Sequence, residues 1–241
     1  MPPTVLALHG FMGRGADWDP IAADLGPAAH ILAPDLAGHG TQEAASGATL
    51  DREADRLAAM LDAPAILAGY SMGGRLALHL ALKHPDLVRA LVLVSASPGL
   101  RSPEAREARR DVDAERAAEI ARDYPAFLNR WYRLPLWGEL GEDLRQRLVL
   151  DRLGHNAPLA LARSLRHMGT GEMAPLWDGL SRIRVPAWAV AGADDAKYVA
   201  LADEMAREGP FRVRLVPGAG HALLAQAPHA IADVLRDALF P

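Results

Sequence analysis

The stretch that most constrains this chain is Ala68-Gly69-Tyr70-Ser71-Met72-Gly73-Gly74-Arg75. The apolar run Ala65-Ile66-Leu67-Ala68 leads into it and reads as a short buried strand. Leu76-Ala77-Leu78-His79-Leu80-Ala81-Leu82 follows and reads as a buried helix. A Gly-x-Ser-x-Gly placed between strand and helix is the setting of a nucleophile elbow. Such a turn is so tight that Gly69 and Gly73 leave no room for a Cβ. Ser71 then stands at the tip, before a helix N-terminus whose free N–H groups and partial positive charge suit an anion. The Met72 N–H would point at an oxyanion. Two simpler readings compete: a helix-capping serine in a glycine-rich turn, or a phosphate cradle.

With 241 residues, half of them hydrophobic, the chain can bury a large core. One α/β domain carrying an insertion fits that length better than two domains. A net charge of −4 and a pI near 6.1 give no support for nucleic-acid binding. Cysteine is absent, which excludes disulfides and thiolate metal sites and leaves the redox compartment open. No apolar run approaches a transmembrane span, and Met1-Pro2-Pro3-Thr4 does not read as a signal peptide, so a cytoplasmic protein without membrane association is expected. Lysine occurs only at positions 83 and 197 while arginine is abundant, which alone says nothing about function.

Val5-Leu6-Ala7-Leu8 reads as a first strand ending in the loop His9-Gly10-Phe11-Met12-Gly13. There the Phe11 N–H is a candidate second oxyanion donor opposite Met72, against the plain alternative of a strand-to-helix turn. Asp19 and Pro20 suit an N-cap and first helical position. His30-Ile31-Leu32-Ala33 is the next strand, and Asp35 and His39 in the loop after it read as structural, with Asp35 capping turn N–H groups. Residues 50–61 form an amphipathic helix, and Ala90-Leu91-Val92-Leu93-Val94 a further strand. Alternation of this kind implies a parallel sheet with helices on both faces, and ligands bound beyond the carboxyl ends of its strands.

Between Ser97 and Trp177 no strand is evident. Ser102-Pro103 opens a charged helix on which Arg109 shares the apolar stripe of Ala105, Val112, Arg116 and Ile120, while Arg110 is rotated about 100° away. Phe127, Trp131, Tyr132, Leu134 and Trp137 form an aromatic cluster, read as the core of the insertion except for Trp131, a candidate ligand contact. Residues 140–153 and 159–168 read as two more helices. The domain expectation is a core of residues 1–97 and 178–241 with a helical cap, 98–177, inserted over the serine.

Residues 185–191 are a strand ending in Gly192-Ala193-Asp194-Asp195-Ala196-Lys197-Tyr198. Phe211-Arg212-Val213-Arg214-Leu215-Val216 is the last strand, followed by Pro217-Gly218-Ala219-Gly220-His221 and a closing helix over 222–239. Serine, then a strand-end aspartate, then a histidine after the last strand is the chain order of α/β-hydrolases. In such a set His221 takes the Ser71 proton and the acid holds the imidazole's tautomer and stabilises its cation. Asp194 and Asp195 both sit at the right strand end, and this reasoning does not choose between them. His9 lies in the oxyanion turn, His79 and His84 belong to the helix after Ser71, and His155, His167 and His229 have no strand-end position.

Taken together, Gly69-Tyr70-Ser71-Met72-Gly73-Gly74-Arg75, Ser97-Pro98-Gly99-Leu100 followed by Arg109, Trp131-Tyr132-x-x-Pro135, Ser164-Leu165-Arg166-x-Met168-Gly169-Thr170-Gly171 and Gly192-x-x-Asp195-x-Lys197-Tyr198 resemble the 2-succinyl-6-hydroxy-2,4-cyclohexadiene-1-carboxylate synthases of menaquinone biosynthesis. The likeness runs from about Leu8 to the last helix. It implies the α/β-hydrolase fold: a mostly parallel sheet of about six strands, helices on both faces and a helical cap. Because the chain reaches the Phe11 strand almost at once, without the leading strands of larger hydrolases, all six are expected to be parallel. The resemblance also implies a lyase that eliminates pyruvate from a cyclohexene bearing succinyl, carboxylate and enolpyruvyl groups. In it the triad removes a ring proton and the oxyanion hole holds the enolate of the succinyl ketone. Carried onto this sequence, Ser71, Asp195 and His221 are the triad, and Phe11 and Met72 the oxyanion donors. Arg75, Arg109 and Arg152 bind carboxylates, and Tyr70 and Trp131 line the pocket; Arg152 rests on the loosest match, Arg152-x-x-x-Asn156.

The residues support this independently. A substrate with several carboxylates calls for planar cations, and Arg75, four positions after Ser71 on the first turn of its helix, would face the same site. The plain alternative for Arg75 is a surface or supporting salt bridge. A small polycarboxylate substrate, no metal, no organic cofactor and a monomer or weak homo-oligomer are the remaining expectations. One rival is an esterase, thioesterase or carbon–carbon hydrolase with the same triad acting on an acidic substrate. The other is a non-enzymatic receptor or scaffold with a residual triad, against which an intact triad and two oxyanion loops argue.

Overall fold

The period-two alternation of the strands settles how the layers assemble. In β1 (Thr4–Leu8), Leu6 and Leu8 face one side and Val5 and Ala7 the other, and all four are fully buried. A strand buried on both faces must be covered by helices on both faces. The structure, a computed structural model, describes residues 2–43 and 48–240. After β1 come α1 (Asp19–Leu25), β2 (His30–Leu32), α2 (Leu50–Ala58), β3 (Ala65–Tyr70), α3 (Met72–Lys83) and β4 (Val88–Val94). Four helices follow without a strand: α4 (Pro103–Arg122), α5 (Tyr124–Trp131), α6 (Glu142–His155) and α7 (Pro158–Met168). The chain then returns through β5 (Ala187–Gly192), α8 (Ala196–Glu208), β6 (Phe211–Val216), α9 (Leu223–Gln226) and α10 (Pro228–Leu239).

The six strands form one sheet in the order β2-β1-β3-β4-β5-β6, with every pairing parallel. The expectation of six parallel strands is therefore met. On one face, Leu6, Leu67, Leu91 and Ala189 pack against α2, α3 and α8. On the other, Val5, Ile66, Val92 and Val190 meet Ile21 of α1 and Ile231 and Leu235 of α10. A third apolar cluster lies within the four-helix segment, built from Ile120, Phe127, Leu128, Tyr132, Trp137 and Leu161.

Strand order reverses between β1 and β3, so the loops after these two strands flank a crevice at the carboxyl edge of the sheet. The Phe11 loop leaves β1 there, and Ser71 leaves β3 there. Several helix boundaries differ from the sequence reading: α2 stops at Ala58 instead of Leu61, and α6 runs Glu142–His155 instead of 140–153. The short 3₁₀ turn Gly15–Trp18 runs directly into α1, so Asp19 is the first helical residue and Trp18 the cap. The closing segment is two helices, because Pro228 offers no N–H and its ring excludes the helical region for Ala227, found at φ −144°, ψ 55°. Asp35 is structural as expected, accepting the Gly15 N–H at 2.8 Å and the Thr41 N–H at 2.9 Å.

Candidate active site

Ser71 occupies a backbone conformation that side-chain-bearing residues rarely adopt, φ 51° and ψ −106°. The glycines around it explain how the turn closes. A Cβ on Gly69 would collide with the Gly73 carbonyl, and one on Gly73 with the Leu8 carbonyl. The Ser71 N–H donates to the Val94 carbonyl at 2.9 Å, which ties the strained turn to β4. Such strain persists only where surrounding structure fixes it.

Ser71 Oγ lies 3.2 Å from Nε2 of His221, and Nδ1 of His221 lies 2.9 Å from Oδ2 of Asp195. With a carboxylate as partner, Nδ1 carries the proton and Nε2 is free to accept the Ser71 hydroxyl proton. Asp195 is buried and caps α8, its Oδ1 accepting the Tyr198 N–H at 3.3 Å. Asp194 is exposed and has no bond to His221. The inward turn of the second aspartate thus decides between the two, which sequence reasoning left open.

His221 is 2% exposed and packed between three rings, with centroid distances of 4.6 Å to Tyr198, 5.4 Å to Trp137 and 5.6 Å to Tyr70. Burial pushes its pKa below the ordinary value; the Asp195 carboxylate acts in the opposite direction and is outweighed. The imidazole is therefore neutral at pH 7 and able to act as a base. Hydrogen-bonded serine, imidazole and carboxylate together can generate either a nucleophile or a base.

The three residues border a cavity of about 680 Å³ at the crevice between the sheet and the four-helix segment. Phe11, Tyr70, Met72, Arg75, Arg109 and Trp131 also line it, so the structure brings these sequence candidates together. Among the described residues no protein acceptor takes the Phe11 or Met72 N–H. Both residues line the cavity, with their N–H groups unclaimed by protein acceptors. His9, beside them, is fully buried with its pKa lowered to about 4 by that burial. Its Nε2 accepts the Leu36 N–H at 3.0 Å, which leaves Nδ1–H to donate to the Gly10 carbonyl at 2.8 Å and marks a structural role.

Arg75 is 9% exposed, and its Nη1 donates to the Met168 carbonyl at 3.1 Å. Among the described residues no carboxylate pairs with it. Burial lowers its pKa to about 10, so it is still a cation at neutral pH. Arg109 donates to Asp113 Oδ1 at 2.8 Å, and Arg116 approaches the same oxygen at 3.8 Å. Lys197 has its pKa depressed by burial and by repulsion from Arg109. Arg116, Lys197, Tyr198 and Trp137 line the cavity without having been singled out as site residues from sequence. A signal existed for Arg116, seven positions after Arg109 on the same helix stripe, and for Lys197, two positions after Asp195. Trp137 carried none that separated it from the core aromatics of the helical segment.

Arg152 departs from expectation. Its guanidinium forks onto Asp17, with Nη1 to Oδ1 at 2.7 Å and Nη2 to Oδ2 at 2.8 Å, and it does not line the Ser71 cavity. It borders instead a smaller void of about 180 Å³ behind Phe11, Tyr70 and Trp137. Already matched by carboxylates, it is not a free clamp for another anion.

Comparison with known proteins agrees with this geometry. Residues 5–234 match the model of the alpha/beta hydrolase family. A Serratia proteamaculans protein named 2-succinyl-6-hydroxy-2,4-cyclohexadiene-1-carboxylate synthase is 32% identical, the match covering 98% of this chain and 93% of that one. A Bacillus subtilis protein that carries the same name provisionally is 34% identical over 98% of this chain and 89% of its own. Among solved structures, MenH from S. aureus superposes with a TM-score of 0.92 at 30% identity, covering 98% of this chain and 93% of that one. A thermophilic esterase from Thermogutta terrifontis, solved with malate bound, follows at a TM-score of 0.86 and 25% identity, covering 98% of this chain and 89% of that one. A triad-forming serine turn at the switch point of an all-parallel sheet, and relatives above 30% identity along nearly the whole chain, place it plainly: the chain belongs to the alpha/beta hydrolase family and, within it, to the family of 2-succinyl-6-hydroxy-2,4-cyclohexadiene-1-carboxylate synthases.

Proposed function

We propose that this protein is the lyase of menaquinone biosynthesis that eliminates pyruvate from 2-succinyl-5-enolpyruvyl-6-hydroxy-3-cyclohexene-1-carboxylate, giving 2-succinyl-6-hydroxy-2,4-cyclohexadiene-1-carboxylate. The observation that carries the reading is Arg75, a buried cation without a carboxylate partner among the described residues, in the wall of the cavity that Ser71 enters. A buried unpaired charge is costly unless a ligand completes it. An apolar ester would give nothing in return, whereas a carboxylate would accept two hydrogen bonds from the guanidinium. Arg109, Arg116 and Lys197 line the same cavity; Arg109 and Arg116 share Asp113, and Asp195 is engaged by His221, so with Arg75 the cations outnumber Asp113, Asp194 and Asp195. This excess of cations suits a substrate with three carboxylates.

In the proposed reaction Ser71 Oγ takes the ring proton next to the succinyl ketone as its own proton passes to Nε2 of His221. Asp195 stabilises the imidazolium. The ketone oxygen becomes an enolate, which the Phe11 and Met72 N–H groups stabilise. As the enolate collapses, the ring double bond shifts to form the conjugated diene and the bond from ring carbon to enolpyruvyl oxygen breaks. The proton held by the Ser71–His221 pair goes to the departing enolate, which leaves as pyruvate. No water is consumed, and no metal or organic cofactor enters the scheme. Cytoplasmic action belongs to the same proposal; no helix among the described residues is long and apolar enough to cross a membrane.

The test is to incubate purified protein with the enolpyruvyl substrate while following pyruvate and the diene absorbance, with p-nitrophenyl esters run in parallel. Equal amounts of pyruvate and diene, with poor ester turnover, are expected. Ester hydrolysis without pyruvate would overturn the lyase reading and favour a hydrolase of acidic esters, the alternative that the Thermogutta terrifontis likeness keeps in view.

A further inference from the structure

The loop that leaves β1 has few bonds of its own around Phe11 and Met12; the Arg14 N–H reaches Asp17 Oδ2 at 3.4 Å, and Asp35 holds the Gly15 N–H. Over residues 10–17 the Gly13 N–H reaches the Gly10 carbonyl at 2.9 Å and the Asp17 N–H the Arg14 carbonyl at 3.0 Å. Met12, next to Phe11, sits at φ 62°. A left-handed conformation is unfavourable for a residue with a side chain, so its surroundings must hold it.

The C-terminal end of α6 and its capping residue, Asn156, supply the hold. Asn156 Nδ2 donates to the Met12 carbonyl at 2.9 Å, and its Oδ1 accepts the Gly40 N–H at 3.1 Å. Arg152 forks onto Asp17 at the far end of the same loop, and Arg14 Nη2 donates to Asp151 Oδ1 at 2.7 Å. Two residues of α6 and the residue that caps its C-terminus thus grip the loop at its strained residue, its middle and its end. The charges of Arg14 and Arg152 are matched by Asp17 and Asp151, and Arg152 is 8% exposed. This cluster has no positive excess to attract a substrate carboxylate, in contrast to Arg75.

We infer that Arg152 and Asn156 are positioning residues: from the C-terminal end of α6 they hold the 10–17 loop so that the Phe11 N–H stands at the wall of the Ser71 cavity as an oxyanion donor. The inference rests on the proposed use of that donor. It couples the helical segment directly to oxyanion stabilisation, and gives Arg152 a part in turnover without contact with the substrate.

The test uses a neutral fluorophosphonate, which reacts at Ser71 and develops charge on its phosphoryl oxygen without needing carboxylate recognition. Asn156→Asp keeps the acceptor for Gly40 but sets a carboxylate oxygen against the Met12 carbonyl; Arg152→Gln removes the fork. In both, Ser71 labelling is expected to slow by about tenfold or more. Hydrogen exchange over residues 10–17 should quicken. With the enolpyruvyl substrate, kcat should fall while KM stays within about threefold. Normal labelling with a raised KM would overturn the inference and make Arg152 a substrate clamp; normal labelling and normal kinetics would also overturn it. Should Arg152→Gln not fold, Asn156→Asp carries the test alone. If the unmodified protein releases no pyruvate, the proposed lyase reaction fails, but the labelling comparison still decides the role of these two residues.

Discussion

The Arg75 guanidinium is held by the carbonyl of Met168, 3.1 Å away and at the last residue of α7. The final carbonyls of a helix lack intrahelical donors and carry partial negative charge, so they orient a cation without neutralising it. Arg75 is thereby fixed in place while its charge stays available to a ligand. Arg75→Ala is expected to lower kcat/KM for the enolpyruvyl substrate by roughly 30–150-fold, the equivalent of about 2–3 kcal/mol for a charged hydrogen-bonded contact. Both KM and kcat should suffer. Steady-state pyruvate release measures this, and near-normal kinetics would remove Arg75 from the site.

Ser71→Ala separates chemistry from folding. Its backbone strain is shared by alanine and serine, so the fold should be retained, with an unchanged far-UV circular dichroism spectrum. Turnover should drop by at least about 10³-fold, as for members of a catalytic unit that act together. A variant that keeps a tenth of the activity would mean that Ser71 is not the proton-accepting group.

The parts of this site that were legible in the sequence are those in which backbone sterics dictate residue type. Gly69 and Gly73 announce the elbow because nothing larger fits, and strand-end positions mark Ser71 and His221. Helical spacing turns Arg75 toward the site, and the family resemblance supplies its carboxylate role. Choosing Asp195 over Asp194 required knowing which carboxylate turns inward to cap α8. Trp137 against His221, and Arg152 against Asp17, are contacts between residues far apart in the chain. No local pattern encodes such pairings; they follow from how the helical segment seats on the sheet. The split between α9 and α10 was signalled by Pro228, which the apolar periodicity of residues 222–239 masks.

The pH dependence of kcat/KM follows from the direction in which burial moves His221. The base form is needed, and its pKa lies below 6.5. Activity should therefore hold level as pH falls from 8 through 6.5 and decline only at lower pH, with unit slope. A limb centred at or above pH 7 would contradict a desolvated imidazole.

Stability should show a separate acid limb from His9. Its pKa is about 4 in the folded protein against 6.5 for an unburied histidine. Between these values the unfolded chain binds the extra proton, so stability is complete above pH 6.5 and is lost as pH falls towards 4. The loss from His9 amounts to about 3 kcal/mol at 1.36 kcal/mol per unit. His39, 5.2 Å away ring to ring and likewise held neutral by burial, adds to it. Urea unfolding at a series of pH values reads this out; a midpoint flat from pH 7 to 5 would refute it.

Lys197 tests whether the rim cations act on substrate or only on one another. It lines the cavity, among the described residues no carboxylate pairs with it, and its charge is opposed by Arg109. Arg109 differs, because removing it would strip Asp113, a carboxylate 4% exposed, of its 2.8 Å partner and destabilise the fold. Lys197→Met is therefore the cleaner change. It should leave the melting temperature unchanged or slightly raised, since a disfavoured buried charge is relieved. Its KM for the enolpyruvyl substrate should rise by roughly 5–30-fold, as expected for about 1–2 kcal/mol of charge-assisted contact. Labelling of Ser71 by a neutral fluorophosphonate should be unaffected. If the KM is unchanged while labelling slows, Lys197 acts through Asp195 and His221 instead of through the substrate.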